Sequence, residues 1–434
     1  MNPKTLFLHT LRAVGGCAAA LLIAAGPAAR ADQQTTAPAL GSDLPALLAY
    51  AHQHNPALAA QRLEAAAARE RLTAAGALPD PQLAIELMDV TNTMNPGRSA
   101  SLLPGEVGST TWRLSQMLPF PGKRALRGEV AAAQANSAEA GAQQTRLDVE
   151  LAIRRAFVEH YRAQRQARIL DETIALSDSL HALALQRYTL GLAGQQEVLQ
   201  LQGERTSLRI ESLELVRSQA AARARLNALL PREPDAPLAG PGALPALPAP
   251  VALAALVQRA TGQAPALRRA QAELGAAERS LALTHRERYP DLGVSLANNR
   301  PRAGRASWDV MLEVSIPLQQ ASRRASEREA GHAHAAAEAR HHDAQARLAG
   351  ALGEAHAALE ARRAQLRLMR DALVPQTEAA LESARAGYEK GSIGFAPVLA
   401  AQQSLLRTRL ALLETEVEAA LAAADLEQLV GDAL

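Results

Sequence analysis

The sequence predicts a mainly α-helical protein with a small β part, built from two copies of one unit. Three observations predict this fold class. Residues 124–190 and 321–390 are rich in Ala, Leu, Arg, Glu and Gln, which favour helices, and only Pro375 interrupts them. Four short segments elsewhere alternate between apolar and polar residues. The order of these features in the first half of the chain recurs in the second half.

The repeat is clearest in two segments that align without gaps, RYTLGLAGQQEVLQLQ (187–202) and GYEKGSIGFAPVLAAQ (387–402). Each holds a Gly-x-x-Gly pair at which the chain can reverse, and we therefore expect helical hairpins at 124–230 and 321–430. The first long helix would extend for roughly 100 Å, too far for the core of an ordinary domain. The repeats are predicted at 32–230 and 251–434, joined by an extended linker at 231–250 that holds seven prolines.

The strand candidates are 81–88, 110–118, 291–298 and 307–316. Each has one apolar and one polar face, as in SWDVMLEVSI at 307–316. A small sheet that covers a helix is one interpretation. A transmembrane β-barrel, apolar outside and polar inside, is the other, and four matched strands favour it. Because four strands cannot close and lipid does not tolerate unpaired edges, several copies must combine, two giving eight strands and three giving twelve.

The N-terminus predicts export. Residues 1–31 have the pattern of a secretory signal peptide, with Lys4 and Arg12 flanking the charged region, an apolar run and a small-x-small cleavage site at 29–31. Cys17, which follows Val14-Gly15-Gly16 inside the apolar run, is a candidate lipidation site. No other stretch reaches the roughly 18–20 apolar residues of a membrane helix. A formal net charge of +2 predicts no nucleic-acid partner, and a single cysteine excludes a disulfide framework.

The duplicated architecture, the LPFPGKR turn at 118–124 and the YxxGxxGxxxVLxxQ tips resemble TolC-type outer-membrane efflux proteins. The turn is most similar to the heavy-metal branch of the family, the CzcC and CusC kind, which serves resistance-nodulation-division (RND) cation pumps. The resemblance implies a homotrimer with a twelve-stranded β-barrel in outer-membrane lipid and a periplasmic α-barrel of helical hairpins. It also implies a periplasmic adaptor at the hairpin tips and an inner-membrane RND pump, with no cofactor and no enzymatic activity.

Site residues follow from the alternation and from the resemblance. Polar positions of the strands are expected to face a lumen, namely Glu86, Arg113, Ser295, Asp309 and Glu313. The loops at 89–109 and 299–306 would be extracellular. Tryptophans that follow the loops and basic residues just beyond the strands are expected at the membrane interface, namely Trp112, Trp308, Lys123, Arg124, Arg323 and Arg324. The adaptor is expected at the tips, on Leu190, Gly191, Leu192, Gly194, Gly391, Ser392, Ile393 and Gly394.

In some members of the family, acidic residues flank the Val-Leu of the second tip. Pro397 and Ala400 stand there in this chain, so an acidic cation-binding ring is not expected at that place, and any electrostatic gate must be built differently. Glu197 lies on the first tip.

One histidine-rich segment, GHAHAAAEARHHDA (331–344), is a metal-site candidate. His334, Glu338 and His342 would share one helix face, and such side chains bind zinc and other divalent ions. A solvated or inter-helix polar face is the alternative. The methionines of the strands and loops, Met88, Met94, Met117 and Met311, are interpreted as lumen or packing residues. The sequence contains no HExxH, no GxSxG, no phosphate loop and no Cys pair, and an enzyme is therefore not expected.

The expected function is that of a passive outer-membrane conduit in a tripartite exporter, with heavy-metal cations as cargo. Channels for multidrug efflux or type I protein secretion are alternatives within this class. A periplasmic adaptor or a soluble coiled-coil scaffold would be alternatives from another class.

Overall fold

The computed structural model describes residues 40–94, 97 and 99–432. The predicted signal peptide and Cys17 lie outside these residues. The elements of the first repeat are α1 (Leu44–His54), α2 (Pro56–Gly76), β1 (Gln82–Met88), β2 (Ser109–Leu118), α3 (Lys123–Thr189) and α4 (Gln195–Leu229). Those of the second repeat are α5 (Leu253–Gln263), α6 (Pro265–Arg286), β3 (Asp291–Pro301), β4 (Ser307–Ser315), α7 (Gln320–Leu368), α8 (Val374–Glu389) and α9 (Phe395–Val430). The predicted fold class is confirmed in both its helical character and its duplication.

The long helices differ between the two repeats. Helix α3 runs through 67 residues without interruption. Its counterpart is divided into α7 and α8 by a π-helical turn at Met369–Leu373. Pro375, in the first turn of α8, has no N–H to donate to the carbonyl four residues earlier, and a wider turn accommodates that lost bond.

The four strands form one antiparallel sheet in the order β1-β2-β3-β4. Trp112 of β2 lies opposite Ile85 of β1 and Asn298 of β3, and Asn298 lies opposite Trp308 of β4. Strand β3 continues to Pro301, so residues 299–301 belong to the sheet and not to the loop predicted at 299–306. Within the described part of the chain, the outer edges of β1 and β4 pair with no strand.

The hydrophobic core is divided among several helix contacts instead of one centre. Leu47 of α1 packs with Phe157 of α3 and Leu226 of α4 near the N-terminal end of the described chain. Leu256 of α5 packs against α7 and α9 in the equivalent place of the second repeat. Long helices packed side by side bury only a narrow stripe each, which is why the clusters are separate.

The proline-rich segment 231–250 lies against the helices along its length. Its backbone donates hydrogen bonds from Ala239 to Leu40 (3.0 Å) and from Gly242 to Ser42 (2.9 Å). The buried ring of His160 on α3 contacts the carbonyl of Ala239 at 3.4 Å, and Arg363 of α7 donates to the carbonyl of Pro248. The linker therefore packs against both repeats.

Under this linker, His160 should make stability depend on pH. Burial, with a smaller contribution from the Arg223 charge, holds the pKa of His160 below its ordinary value, although the Ala239 carbonyl opposes the shift. The unfolded chain therefore binds a proton that the folded chain does not, in the pH window from about 6.5 down to the lowered folded pKa. In that window the free energy of unfolding falls as the pH falls.

We expect the thermal midpoint of detergent-solubilised protein to drop on acidification from pH 7.5 to 5.5. The drop should be smaller in His160→Gln, as followed by circular dichroism. His332→Gln, on an exposed part of α7, serves as the control and should keep the wild-type drop. An unchanged drop in His160→Gln would contradict the assignment.

Candidate functional site

The sheet has one polar and one apolar face. Residues directly opposite each other in antiparallel strands point to the same side, so the register assigns every strand residue to a face. Arg113 lies opposite Ala297, which lies opposite Asp309. All five predicted lumen residues share that face, namely Glu86, Arg113, Ser295, Asp309 and Glu313. The structure thus brings them together, and their exposure to a lumen stays a prediction.

In strand β3 the exposure of the two faces is the reverse of that in a water-soluble sheet, while β4 is exposed on both faces. Ser295, in the middle of the polar face, is only 6% exposed, whereas Leu312 on the apolar face is 74% exposed. Other exposed residues of the apolar face are Leu83, Ile85, Leu114, Leu292, Leu296, Val310 and Val314. No helix in the described residues covers them, which excludes a sheet that packs on a helix. An apolar patch of this extent requires a partner other than water.

Acidic groups exceed basic groups on the polar face. Arg113 pairs with Glu86 at 3.4 Å, an exposed pair that contributes little to stability. Asp309 and Glu313 make no hydrogen bond or ion pair with the rest of the described chain. A side chain at Gly293 would meet the Cβ of Glu313 at 3.2 Å, so Glu313 leans over the glycine.

Three methionines also lie on the polar face. Met88 is opposite Ser109, Met117 is opposite Gly293 and Met311 is opposite Ser295. Met117 and Met311 border, together with Glu313, a cavity of about 190 Å³. The three methionines share this face because successive residues of a strand point to opposite sides of the sheet.

Both tryptophans lie at one level of the apolar face, on either side of Asn298. Trp112 is 38% and Trp308 is 68% exposed, close to the ends of the strands that lead into the loops. This arrangement is typical of the aromatic belt at a membrane interface, where an indole ring contacts apolar lipid chains on one side and polar headgroups on the other.

The basic residues after β2 and β4 have different environments. Lys123, predicted at the membrane interface, cannot reach lipid, because its side chain is buried and its ammonium donates to Asp291 Oδ1 and to the carbonyl of Tyr289, both at 2.8 Å. The Phe120 N–H also donates to Asp291 (2.7 Å), and the Phe120 and Tyr289 rings stack at 4.6 Å. We call these four residues the strand–helix junction.

Two arginines bind the ends of the short helices. The Arg124 guanidinium donates to the carbonyl of Gly76 at the end of α2 (2.7 Å), and Arg323 donates to the carbonyl of Glu287 after α6 (2.5 Å). Positive charge at a helix C-terminus is favourable for the free carbonyls and for the helix dipole. Arg324 is exposed. For these three arginines the contact with lipid stays a prediction.

The two hairpin tips have the same backbone turn. Gly191 and Gly391 both adopt φ of +73°, a left-handed conformation that favours glycine, and their N–H groups donate to the carbonyls of Tyr188 and Tyr388. Gly194 and Gly394 have extended backbones that any residue could adopt, and a side chain at either position would meet no atom within 4 Å. The turn itself therefore does not require these two glycines.

A group of four residues, the tip cluster, connects the first tip to the second. Arg187 donates to the carbonyl of Tyr388 (2.7 Å), and its guanidinium lies 4.7 Å from the centre of the Tyr388 ring. The Tyr388 hydroxyl donates to Glu197 Oε2 at 2.8 Å, and the ring meets Phe395 edge to face at 5.6 Å. Burial, then the Glu197 carboxylate, raises the pKa of Tyr388 to about 12, so the hydroxyl stays a donor at physiological pH.

Sequence reasoning missed the tip cluster, although the repeat contains its signal. The residues that align with Arg187 and Glu197 in the second tip are Gly387 and Pro397, which cannot make these contacts. A difference in charge between aligned positions of the two tips is therefore the signal that indicates a contact between them.

The histidine candidates do not form a metal site within one chain. His334, Glu338 and His342 lie along α7, with Glu338 and His342 exposed. Among the residues that the structure describes, no group of three or more His, Cys, Asp or Glu side chains is placed to hold a metal ion. Nor is any helix of this part long and apolar enough to cross a membrane.

The comparison with family models decides the identity. The model of the family described as outer membrane efflux protein matches residues 47–231 and 256–432, which comprise both repeats. The chain belongs to the outer membrane efflux protein family. It is therefore an outer-membrane efflux channel whose helices extend into the periplasm, and the periplasmic adaptor and soluble scaffold alternatives are excluded.

Solved structures share the fold of this efflux protein. The structure of CusC has a TM-score of 0.76 at 18% identity and covers 90% of this chain and 92% of its own. VceC of Vibrio cholerae has a TM-score of 0.74 at 20% identity, covering 90% and 96%. The open-state MtrE channel of Neisseria gonorrhoeae has a TM-score of 0.73 at 16% identity, covering 90% and 89%. No curated protein sequence matches the chain.

The strand–helix junction should contribute measurably to the stability of the efflux protein. Lys123→Met removes the ammonium that neutralises the partly buried Asp291, and we expect a loss of about 2–3 kcal/mol in the free energy of unfolding. Denaturant unfolding of solubilised protein measures this loss.

The matched control is Lys390→Met at the exposed second tip, which should change the free energy of unfolding by less than about 0.5 kcal/mol. Equal effects of the two substitutions would contradict a structural role for Lys123.

Proposed function

We propose that three copies of the chain form the outer-membrane conduit of a tripartite exporter whose cargo is divalent heavy-metal cations. The observation that carries the proposal is the sheet, which exposes its apolar face, gathers its polar residues on the other face and leaves both edges free. A sheet of this kind is stable where lipid covers the apolar face and further strands pair with the edges.

The number of strands favours a homotrimer. Four strands per chain give eight strands for two copies, and the interior of such a barrel is filled by its own side chains. Three copies give a twelve-stranded β-barrel with room for a passage. The hairpins of the three chains would then form an α-barrel in the periplasm.

Export through this conduit requires a periplasmic adaptor and an inner-membrane RND pump, because a passive channel has no energy source. The tips support adaptor docking at their exposed leucines, since Leu190 is 65% and Leu192 is 64% exposed. Gly194 and Gly394 support it too, because neither the backbone conformation nor the available space requires glycine there. A bare backbone at these two positions would let a partner approach closely.

The charge of the polar face supports a cationic cargo. Glu86, Asp309 and Glu313 outnumber Arg113, and Asp309 and Glu313 have no partner in the described chain. Three copies would place six such carboxylates around one passage, which raises the local concentration of cations. The LPFPGKR turn resembles the heavy-metal branch, and CusC is among the structures that share the fold.

Growth in metal tests the cargo. In a strain that lacks the gene for this chain, the wild-type gene should restore resistance to zinc, cobalt or copper but not to drugs. The double variant Asp309→Asn, Glu313→Gln should restore less resistance, because it removes the unpaired carboxylates. The double variant Glu233→Gln, Asp235→Asn makes the same charge change in the exposed linker and should behave as wild type.

Restored resistance to drugs alone would contradict the metal cargo and favour a multidrug channel. Secretion of a protein that depends on the gene would favour the type I alternative. Failure to restore any export in strains that contain the protein in their outer membranes would contradict the conduit itself.

The tip cluster should hold the periplasmic end of the conduit closed. Arg187 and Glu197 of the first hairpin bind Tyr388 of the second, so the tips cannot separate without breaking these contacts. Docking of an adaptor that replaces the contacts would let the tips move apart. A closed resting state of this kind prevents leakage while no pump is attached.

Tyr388→Phe removes the hydroxyl that binds Glu197 and leaves the ring in place. The loss of a hydrogen bond to a charged group is about 1.5 kcal/mol or more, which corresponds to a roughly tenfold shift toward the open state. We expect a higher conductance in planar bilayers. Tyr188→Phe, at the matching but exposed position of the first tip, should leave the conductance unchanged, and equal conductance of the two variants would contradict the closure role.

A further inference from the structure

Methionine is an unusual residue on the polar face of a sheet. Met117 is 37% and Met311 is 47% exposed, so neither side chain serves to fill a core. The two residues border one cavity, which has a volume of about 190 Å³. A thioether sulfur is a weak hydrogen-bond acceptor but a good ligand for soft metal ions. This pair of side chains therefore points to a metal ion as the ligand of the cavity.

The two methionines approach the cavity from different strands. Met117 of β2 lies opposite Gly293 of β3, which lies opposite Glu313 of β4. Met311 is two residues before Glu313 on β4, so these two side chains point to the same side of the sheet. Because glycine has no side chain, the space above Gly293 stays open. We call this space the Gly293 cavity.

The carboxylate of Glu313 leans into the Gly293 cavity. A Cβ atom at Gly293 would lie 3.2 Å from the Cβ and 3.5 Å from the Oε2 of Glu313. Residues opposite each other on neighbouring strands have Cβ atoms about 5 Å apart, so the Cβ atoms of Met117 and Glu313 are about 10 Å apart. The two side chains can span this distance with one metal ion between them, and Met311 offers a second sulfur.

The charges around the Gly293 cavity favour a cation. Asp80, two residues before β1, borders the cavity together with Glu313. Neither carboxylate has a hydrogen bond or an ion pair with the rest of the described chain. Arg113 also borders the cavity, but its guanidinium pairs with Glu86 at 3.4 Å. Negative charge therefore exceeds positive charge at this place.

We propose that the Gly293 cavity binds a soft monovalent metal cation such as Cu(I), with the sulfur atoms of Met117 and Met311 and the carboxylate of Glu313 as its ligands. Thioethers select soft cations, whereas zinc is bound mainly by imidazole, thiolate and carboxylate groups. All three ligands belong to one chain. The inference therefore goes beyond the proposed conduit and needs neither the trimer nor a particular cargo.

The ligands of this site are weak, and that is appropriate for its place in the fold. Two of the three are neutral sulfur atoms, and all three lie on exposed parts of the polar face. In the proposed conduit this face lines the passage. A site in a passage must bind a cation strongly enough to admit it and weakly enough to release it.

Silver(I) is the probe, because it is soft, monovalent and stable in air. It is added in chloride-free buffer to detergent-solubilised Cys17→Ser protein, which lacks the chain's single cysteine and carries ¹³C in its methionine methyl groups. We expect Ag⁺ to shift the methyl NMR signals of Met117 and Met311 and to leave those of Met88 and Met94 in place. Zn²⁺ at the same concentration should shift none of the four.

The double variant Met117→Leu, Met311→Leu removes both sulfur atoms at nearly unchanged volume. It should lower the affinity for Ag⁺, measured by titration calorimetry, at least tenfold. The matched control is Met88→Leu, Met94→Leu, which removes the same number of sulfur atoms outside the cavity and should keep the wild-type affinity. Gly293→Ala keeps every ligand but fills the open space beside Glu313, and it should also weaken binding.

Equal affinities of the wild type and Met117→Leu, Met311→Leu would overturn the site, and so would equal shifts of all four methyl signals. Circular dichroism shows whether the double variant is folded. If it is not, the methyl shifts of the wild type and the affinity of Gly293→Ala decide. Binding is measured on purified protein and requires no export, so a failure here would leave the conduit proposal standing. Failure of the growth experiment would likewise leave the site standing.

Discussion

Every backbone N–H and C=O group that lies in lipid needs a hydrogen-bond partner within the protein, and the rest of the structure depends on this constraint. One chain satisfies this need between its four strands and leaves it open at the outer edges of β1 and β4. The exposed apolar side chains, such as Leu312, add a second requirement, because they are stable only against lipid. Neither requirement can be met by a single molecule in water, and both are met when identical chains pool their strands in a membrane.

Duplication explains how a mostly helical chain meets this requirement with few strands. Each repeat supplies two strands, and the strand–helix junction joins the repeats where β2 becomes α3. Lys123 and Asp291 stabilise this connection inside the chain. The second repeat does not reproduce the ion pair, and its long helix is interrupted at Met369–Leu373. The two halves thus have the same topology but differ in the continuity of their long helix and in charge at their tips.

The sequence predicted the elements whose signals are local. Alternation placed the strands, and proline-free stretches placed the long helices, because both patterns reflect which faces of an element are buried. The environment of Lys123 could not be predicted, since a basic residue after a strand looks the same whether it faces lipid or an aspartate far away in sequence. The end of β3 was also missed, because Asn299 and Arg300 lack β propensity and are held by the neighbouring strands.

The same distinction explains why the tip cluster was invisible. The contacts of Arg187 and Glu197 with Tyr388 join residues far apart in sequence, and each tip taken alone is a glycine turn with an ordinary helix on either side. The difference between the tips lets one tip bind the other, because two identical tips would both carry an arginine and a carboxylate and would leave like charges facing each other. With Arg187 and Glu197 on one hairpin and Tyr388 on the other, one chain holds a complete set of complementary groups. In three copies the closure would then be made of three equivalent clusters, each within a chain, while the strands carry the contacts between chains.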